Sequence, residues 1–230
     1  GASWPCSKNA QTVTGLTTGV IDITAGNQYT CAALSNGIAK CWGLNDQYQL
    51  GDGTMNNSTT PVSVQGLTEV AAVYSGGTYT CVTTRIGAVK CWGSNGYGQL
   101  GDGTTDGRAT PVDVVGLSNG VISVAPENYH NCALLATGSV KCWGLYAVLG
   151  QVNEHTSETC NTPDSGPQEC SKTPLAVFGL DAGVNSIASG TNYTCVVLDN
   201  GHAKCWGANG YKQLGDGTTT NRQIPVDVAW

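Results

Sequence analysis

The sequence predicts an all-β protein, a β-propeller of four-stranded antiparallel blades, with about four repeats of roughly 50 residues. Three observations lead to this fold class. A long segment recurs four times, and every copy contains two cysteines ten positions apart. Glycine accounts for 32 of 230 residues while proline accounts for only 8, which is typical of a chain with many tight turns. Charged residues make up 11% of the chain, too few for coiled coils or charge-rich disorder.

The repeat is visible without an alignment. The segment YTCAALSNGIAKCWGLNDQYQLGDGT starts at Tyr29, closely similar segments start at Tyr79 and Tyr193, and a shortened copy starts at Tyr129. One tryptophan marks each copy, at intervals of 50, 51 and 63 residues: Trp42, Trp92, Trp143 and Trp206. A segment of the type Pro-Val-x-Val follows each copy, beginning at Pro61, Pro111, Pro174 and Pro225. Self-similarity at such a period indicates a repeat architecture.

Each repeat contains material for four strands. The first is a short β-branched run such as 20–24 or 121–124. The next two strands form a hairpin: if Cys31 faces Cys41, the loop is Ser35-Asn36-Gly37, with glycine at the left-handed third position. The same register places a glycine at this position in the other repeats: Gly87, Gly138 and Gly201. The Pro-Val-x-Val segment is the fourth strand, and its proline suits a strand start or an edge.

The cysteines predict disulfides and an oxidising compartment. Ten of the eleven fall into pairs, and the close Cys-x2-4-Cys spacing of zinc sites is absent. The predicted bridges are Cys31–Cys41, Cys81–Cys91, Cys132–Cys142, Cys160–Cys170 and Cys195–Cys205. Cys6 is left over, and it is free, bridges to another chain, or displaces a partner in the less regular pair Cys160/Cys170. The expected location is extracellular or at the cell surface.

The recurring Cys-Trp-Gly, Gln-Leu-Gly-Asp-Gly-Thr and Pro-Val-x-Val elements resemble the regulator of chromosome condensation repeat, in its secreted bacterial, cysteine-bearing form. The resemblance covers about residues 13–228. It implies a propeller of four-stranded antiparallel blades. It implies little about function, because the family includes nucleotide-exchange factors, enzyme inhibitors and adhesive surface proteins. Familiar members close with about seven blades, whereas this sequence contains four repeats.

We therefore expect an N-terminal extension, 1–12, followed by a propeller over 13–230. The approximate repeats are 13–63, 64–113, 114–176 with an insertion at 145–173, and 177–230. Both ends are cut at the same repeat phase, which predicts a closed ring with strand 225–228 docked beside the first. Assembly with other chains and a fragment of a larger ring are the alternatives.

The candidate contact residues lie where the repeat is broken. Repeat three replaces the polar loop by an apolar run and an insertion, so we expect Leu145, Tyr146, Val148 and His155 to form a binding surface. The alternative is neutral variation in one loop. Trp4, Cys6 and Trp230 lie outside the repeat positions and are candidates for contacts made by the termini. The contact made by Trp4 and Cys6 is with the body of the propeller or with a neighbouring subunit.

Other repeated residues have structural interpretations. The four tryptophans fill the space between blades, and the aspartates of the Gly-Asp-Gly-Thr loops cap their own turns rather than bind calcium. No Ser-His-Asp or Cys-His grouping is evident, so we expect no catalytic residue, no metal and no cofactor.

These observations define the expected function. A net charge of −6 with ten Lys and Arg argues against a nucleic-acid partner, and no apolar run is long enough to span a membrane. We expect a secreted or cell-surface, non-catalytic propeller that acts as a structural, adhesive or protein-binding module, including as a subunit of an extracellular appendage or filament. Its partner is a protein or another copy, with glycans as a further ligand class. The alternatives are a secreted inhibitor of an extracellular enzyme and a carbohydrate-binding lectin.

Overall fold

The computed structural model describes residues 9–151, 158–162 and 166–229, and these residues form four antiparallel β-sheets. Each sheet is one blade, and its strands follow one another along the chain. Blade 1 contains β1 (Val20–Ala25), β2 (Tyr29–Leu34), β3 (Ala39–Gly43) and β4 (Ser58–Ser63). Blade 2 contains β5 (Val70–Ser75), β6 (Tyr79–Thr84), β7 (Val89–Gly93) and β8 (Arg108–Asp113).

Blade 3 is larger than the others because the insertion adds a fifth strand. It contains β9 (Val121–Pro126), β10 (His130–Leu135), β11 (Val140–Leu145), β12 (Thr159–Thr162) and β13 (Gly166–Ala176). Its strand order is β12-β13-β11-β10-β9, so β13 takes the place of the usual fourth strand and β12 lies outside it. Blade 4 contains β14 (Val184–Gly190), β15 (Tyr193–Leu198), β16 (Ala203–Gly207) and β17 (Arg222–Asp227). A single 3₁₀ turn, Tyr146–Val148, is the one helical element of the described residues.

The central hairpin of each blade has the predicted register. In blade 1, Cys31 lies opposite Cys41, and the amide of Leu34 donates to the carbonyl oxygen of Ile38 at 2.9 Å. The turn ends at Gly37, whose φ of +84° lies in the left-handed region that glycine adopts without a steric penalty. The corresponding glycines have φ values of +78°, +78° and +82°: Gly87, Gly138 and Gly201. The argument from turn chemistry therefore holds in all four blades.

Five disulfides join the ten paired cysteines as the sequence predicts: Cys31–Cys41, Cys81–Cys91, Cys132–Cys142, Cys160–Cys170 and Cys195–Cys205. Four of them cross a central hairpin, with the two Cα atoms 4.1 Å apart. The fifth joins β12 to β13, where Cys160 lies opposite Gln168 and the Cα atoms of the bridge are 5.8 Å apart. The insertion hairpin thus has a register of its own.

The hydrophobic core is divided into three clusters, one at each junction between consecutive blades. Every blade has two different faces, and blades 2 and 3 bury both of them at these junctions. Its leading face, which is Val70, Val73 and Trp92 in blade 2, packs against the preceding blade. Its trailing face, represented by Tyr29 and Ala33 in blade 1, receives the leading face of the next blade. The fold is therefore stabilised by apolar burial between blades in addition to the hydrogen bonds within them.

The blades form an open arc, and the prediction of a ring closed within the chain is wrong. The last strand, β17, pairs with β16 of its own blade, and Val13–Leu16 form a turn rather than a strand beside it. Val20 and Ile23 of blade 1 remain 40% and 59% exposed, whereas the equivalent Val70 and Val73 are 0% and 3% exposed. Each blade takes its four repeat strands from its own part of the chain, and within residues 9–151, 158–162 and 166–229 no strand of blade 1 pairs with a strand of blade 4.

Candidate functional site

The structure places the apolar residues of the third repeat in the interior. Tyr146 is 7% and Val148 is 4% exposed, while Leu145 is half-buried at the end of β11. The carbonyl oxygen of Val148 accepts a hydrogen bond from the Trp206 indole nitrogen at 3.0 Å. Tyr146 and Val148 thus belong to the junction between blades 3 and 4, and their side chains do not offer an exposed contact surface.

The other candidate contact residues cannot be placed in the same way. Trp4, Cys6, His155 and Trp230 lie outside the described residues. The described part of the insertion runs along the outer edge of blade 3, where a Glu158 carboxylate oxygen accepts from the Lys172 amide at 2.8 Å. The carbonyl oxygen of Lys172 accepts from the amide of Gly103 in blade 2 at 3.0 Å. The insertion hairpin is therefore anchored to two blades.

The repeat tryptophans lie between blades, as the sequence indicates. Trp92, Trp143 and Trp206 are fully buried. Their indole nitrogens donate to backbone carbonyl oxygens in the loop of the preceding blade: Trp92 to Gln49 at 2.9 Å, Trp143 to Gln99 at 2.8 Å, and Trp206 to Val148 at 3.0 Å. Trp42 differs, because blade 1 has no preceding blade among the described residues and this side chain is only half-buried.

Aromatic side chains on the second strands link each blade to the next one. The Tyr29 hydroxyl donates to the carbonyl oxygen of Tyr79, and the Tyr79 hydroxyl donates to that of Glu127 at 2.7 Å. Burial raises the pKa of both phenols well above the usual value, so they remain neutral donors. His130 replaces tyrosine in blade 3, and its Nε2 lies 2.9 Å from the Thr194 hydroxyl oxygen of blade 4. These contacts are structural rather than catalytic in character.

The aspartates of the Gly-Asp-Gly-Thr loops hold their own turns together. The Asp102 carboxylate accepts from the Thr104 amide at 3.0 Å and from the Arg108 Nε at 2.7 Å. Partial burial raises the pKa of Asp102, but hydrogen bonds from Thr104 and Arg108 outweigh that effect and hold the pKa below its ordinary value. The interpretation of these residues as turn caps is confirmed. Across residues 9–151, 158–162 and 166–229, no three His, Cys, Asp or Glu side chains come together as a metal site.

A polar groove of about 700 Å³ crosses one end of blades 1 to 3 and is the candidate binding site. It lies where the loops after the first strands of blades 1, 2 and 3 meet the loops after the third strands of blades 1 and 2. The amide of Asn27 donates to the carbonyl oxygen of Gly77 at 2.9 Å, which ties the first two of these loops together. The residues that line the groove are Asn27, Gln28, Leu44, Asp46, Gln47, Thr78, Ser94, Gly96, Tyr97, Gln99, Asn128 and Tyr129.

The lining of this groove carries little charge and is rich in hydrogen-bonding groups. Of the described residues that line it, Asp46 alone is charged. Tyr97 and Tyr129 come from neighbouring blades, and their ring centroids are 4.7 Å apart with the planes tilted by 55°. Together the two rings form a rigid amphipathic wall that can pack against a ligand and bond to it. The arrangement can hold a polar, neutral ligand surface.

Sequence reasoning did not single out this groove. Its lining comes from three repeats, and each residue alone occupies an ordinary loop position. One signal was present: Tyr129 stands where the other repeats have Gln28, Thr78 and Asn192. Since the other repeats have polar residues at this loop position, the blade fold does not require an aromatic side chain there.

No helix in the described part of the chain combines the length and apolar character needed to cross a membrane. The four-stranded repeat blades and the junctions through tryptophan and tyrosine define a β-propeller-type repeat scaffold. Two family profiles, both described as the regulator of chromosome condensation (RCC1) repeat, match the chain. One covers residues 41–83 and 87–134, and the other covers 20–49, 70–99 and 184–213. The chain belongs to the RCC1 repeat family.

Known relatives agree with this assignment at the level of fold. Prp20p from Saccharomyces cerevisiae superimposes with a TM-score of 0.81 at 20% identity, over 95% of this chain and 52% of Prp20p. Human WBSCR16 gives a TM-score of 0.80 at 20% identity, over 97% of this chain and 56% of that protein. The E3 ubiquitin-protein ligase HERC2 of Homo sapiens is 31% identical over 116 residues, which are 49% of this chain and 2% of HERC2. The chain thus spans a small part of HERC2 and about half of the two solved structures.

Proposed function

We propose that this protein is an extracellular, non-catalytic protein-binding propeller that holds its partner in the groove across blades 1 to 3. The groove is the observation that carries the proposal. Its amide, hydroxyl and tyrosine groups are the side chains that adaptable protein-binding loops favour, since tyrosine supplies rigid contact area and small polar residues supply hydrogen bonds. A partner surface with few charges, including an extended peptide segment, fits this lining.

Protein binding is also what the solved relative does. Prp20 has been solved bound to Kap60, and its binding to Gsp1p and histones has been described. At 20–21% sequence identity, the similarity to Prp20 indicates a shared fold but does not indicate that this chain has the same partners. The shared fold and the partners of Prp20 support the proposal that this propeller also serves as a protein-binding scaffold.

Five disulfides support the extracellular location. Disulfides of this number persist in oxidising compartments and are rare where thiol reductants are abundant. We propose binding without chemistry because the lining consists mainly of neutral amide, hydroxyl and phenol groups, with Asp46 as its one carboxylate among the described residues. A role as a structural or adhesive subunit and a role as an enzyme inhibitor both use such a protein-binding surface.

The proposal is tested by removing the tyrosine wall. The double variant Tyr97→Ala/Tyr129→Ala is compared with Tyr211→Ala, which occupies the same repeat position as Tyr97, is 93% exposed and lies outside the groove. Each immobilised protein is used to capture extracellular proteins of its source, and the recovered amounts are compared by mass spectrometry. We expect one or more proteins to be retained by the wild type and by Tyr211→Ala but lost, by about tenfold or more, in the double variant.

Equal capture by all three proteins would overturn the groove as the binding site. The same three proteins on a glycan array separate the lectin alternative. Suppose that the double variant loses glycan binding but captures the same proteins as the wild type. The ligand of the groove is then a carbohydrate and not a protein. Thermal melting of each variant shows that the blades remain folded.

A further inference from the structure

One loop of blade 3 departs from the repeat at two positions. Glu127 stands where the other repeats have glycine, and His130 stands where they have tyrosine. The corresponding pairs are Gly26 and Tyr29, Gly76 and Tyr79, and Gly190 and Tyr193. In each of these pairs, a Cβ on the glycine would overlap the tyrosine ring. The smaller imidazole of His130 leaves this space to the Glu127 side chain, so the two replacements belong together.

Glu127 and His130 are both buried, and each has a polar atom without a hydrogen bond. Their side chains are 7% and 0% exposed. Glu127 Oε2 and His130 Nδ1 have no hydrogen-bond partner among the described residues. These two atoms are 3.9 Å apart, which is too far for a hydrogen bond between them. Buried polar atoms are nearly always bonded, so two facing exceptions call for a physical explanation.

The other polar atoms of the two side chains are bonded, and they connect blade 4 with the groove. His130 Nε2 lies 2.9 Å from the Thr194 hydroxyl oxygen of blade 4. Glu127 Oε1 accepts a hydrogen bond from Asn128 Nδ2 at 2.9 Å. Asn128 lines the groove, and its Oδ1 occupies the space beside Gly77 of blade 2. The Glu127 carboxylate therefore lies between a buried imidazole and a side chain of the groove wall.

We propose that Glu127 transmits the protonation of His130 to Asn128, so that acid rearranges this wall of the groove. A neutral imidazole carries one N–H, whereas an imidazolium donates from both ring nitrogens. The Nδ1–H of the imidazolium faces Glu127 Oε2, and a charge-assisted hydrogen bond of about 2.8 Å draws the carboxylate toward the ring. Asn128 Nδ2 then loses its acceptor, and the groove lining changes. Only the effect on binding rests on the proposed function, because the proton link itself needs no partner.

The groups that face His130 from its own blade and from blade 2 add no charge. Tyr79 of β6 donates from its hydroxyl to the His130 carbonyl oxygen at 3.0 Å, and burial keeps this phenol neutral by raising its pKa. Tyr146 packs in the apolar cluster between blades 3 and 4. Lys141 of β11 lies opposite Ala133, so its side chain is on the other face of the blade. The neighbouring strand β9 contains no titratable side chain.

Blade 4 brings no unpaired charge to His130 either. Its first strand, β14, contains no titratable side chain. Tyr193 of β15 precedes the residue that bonds to the imidazole, so it points to the opposite face of the strand. Lys204 of β16 forms an ion pair with Asp227 at 2.7 Å. Glu127 is thus the one carboxylate among the described residues that lies close to a His130 ring nitrogen.

NMR of the disulfide-intact chain tests the proton link directly. Burial lowers the pKa of His130 to about 4, so spectra are recorded from pH 7 to below pH 4 while circular dichroism checks the fold. We expect the His130 imidazole and the Asn128 side-chain amide to shift with one common midpoint. The side-chain amide of Asn27, on the blade 1 side of the groove, is the internal control and should not follow. In Glu127→Gln, which cannot form the ion pair, the Asn128 shift should disappear.

His130→Gln separates the histidine from the carboxylate. It keeps a polar group at this position but does not titrate, so Asn128 should no longer shift with pH. An Asn128 shift that persists in this variant would show that Glu127 responds on its own, which contradicts the proposal. A wild-type Asn128 resonance that stays in place while His130 titrates would contradict it as well.

Glu127→Ala gives a second test at pH 7.4, where acid unfolding plays no part. The other repeats have glycine at this position, so a small side chain is compatible with the fold. The variant removes the acceptor of Asn128, as protonation of His130 does, and the Asn128 amide should shift at neutral pH. Glu69→Ala, at an exposed carboxylate of blade 2, is the matched control and should leave that resonance unchanged. No shift in Glu127→Ala would overturn the proposal.

Capture by the immobilised chain tests the effect on binding. Proteins retained at pH 7.4 should be released by the wild type at about pH 4 and retained about tenfold better by Glu127→Gln and His130→Gln. Failure to capture any protein at pH 7.4 would contradict the proposed function, while the NMR result still decides the proton link. Equal retention at both pH values, on a folded chain with His130 protonated, would overturn the acid-sensitive groove.

Discussion

The indole nitrogen of Trp206 lies 3.0 Å from the backbone carbonyl oxygen of Val148 and donates a hydrogen bond to it. This contact joins blade 4 to the shortened loop of blade 3. Trp92 and Trp143 donate the same hydrogen bond to the backbone carbonyl oxygen of a glutamine, although the loop sequence around Val148 is different. The junction is therefore maintained by backbone position, and the loop residues can vary around it.

The first prediction concerns this bond. Trp206→Phe removes the donor, leaves the buried Val148 carbonyl unpaired and creates a cavity, so the free energy of unfolding should fall by about 2–4 kcal/mol. Trp42→Phe is the matched control because this tryptophan is half-buried and has no acceptor among the described residues, and it should cost under about 1 kcal/mol. Urea denaturation measures the free energy of unfolding of both variants. Similar losses in the two variants would contradict the junction as the cause.

The second prediction concerns the apolar loop of blade 3. Because Tyr146 is 7% exposed and packs in the cluster between blades 3 and 4, Tyr146→Ala should lower the free energy of unfolding by about 3 kcal/mol. Tyr211→Ala, at a 93% exposed position of blade 4, should change it by less than about 0.5 kcal/mol. Unchanged stability with weakened partner binding in Tyr146→Ala would restore Tyr146 as a contact residue.

The third prediction is a dependence on pH. Burial lowers the pKa of His130 from 6.5 to about 4, and Glu127 Oε2 at 3.9 Å from Nδ1 is too distant for a hydrogen bond. Between pH 4 and pH 6.5, His130 therefore binds a proton in the unfolded chain but not in the native state. Stability is therefore complete above pH 6.5 and should fall, by about 3 kcal/mol, as the pH drops to about 4.

The control for that prediction is His130→Tyr, which introduces the residue found in the other three repeats. Subtracting its unfolding free energy from that of the wild type at each pH isolates the histidine from the acidic side chains. A difference that stays constant from pH 7 to pH 4 would show that His130 is protonated as easily in the native state as in the unfolded chain.

The fourth prediction separates the two kinds of disulfide. Replacing Cys81 and Cys91 by alanine removes a bridge inside a blade and should cost about 3 kcal/mol, because the unfolded chain gains the freedom of the opened loop. Replacing Cys160 and Cys170 releases β12, the outermost strand of blade 3, which can open locally while β13 stays paired with β11, so global unfolding should change by less than about 1 kcal/mol. Urea titration measures both, after peptide mapping confirms the remaining bridges. Equal losses would show that the insertion unfolds together with the blades.

Much of the fold follows from the sequence because its determinants are local. The spacing of Cys31 and Cys41 and the position of Gly37 specify one hairpin register, and the chain repeats that pattern in every blade. The four strands of a blade lie close together along the chain, so their order as a meander needs no long-range information. The burial of the repeat tryptophans was inferred in the same way.

The groove and the open ends were decided by the tertiary structure alone. Tyr97 and Tyr129 are 32 positions apart and meet only because blades 2 and 3 stack with a particular angle between them. The angle between two neighbouring blades is set by many side-chain contacts at their junction. Small differences in this angle determine whether four blades close into a ring or leave Ile23 exposed. A repeat pattern specifies the unit and its neighbour, whereas curvature accumulates over the whole arc and is not encoded in any one repeat.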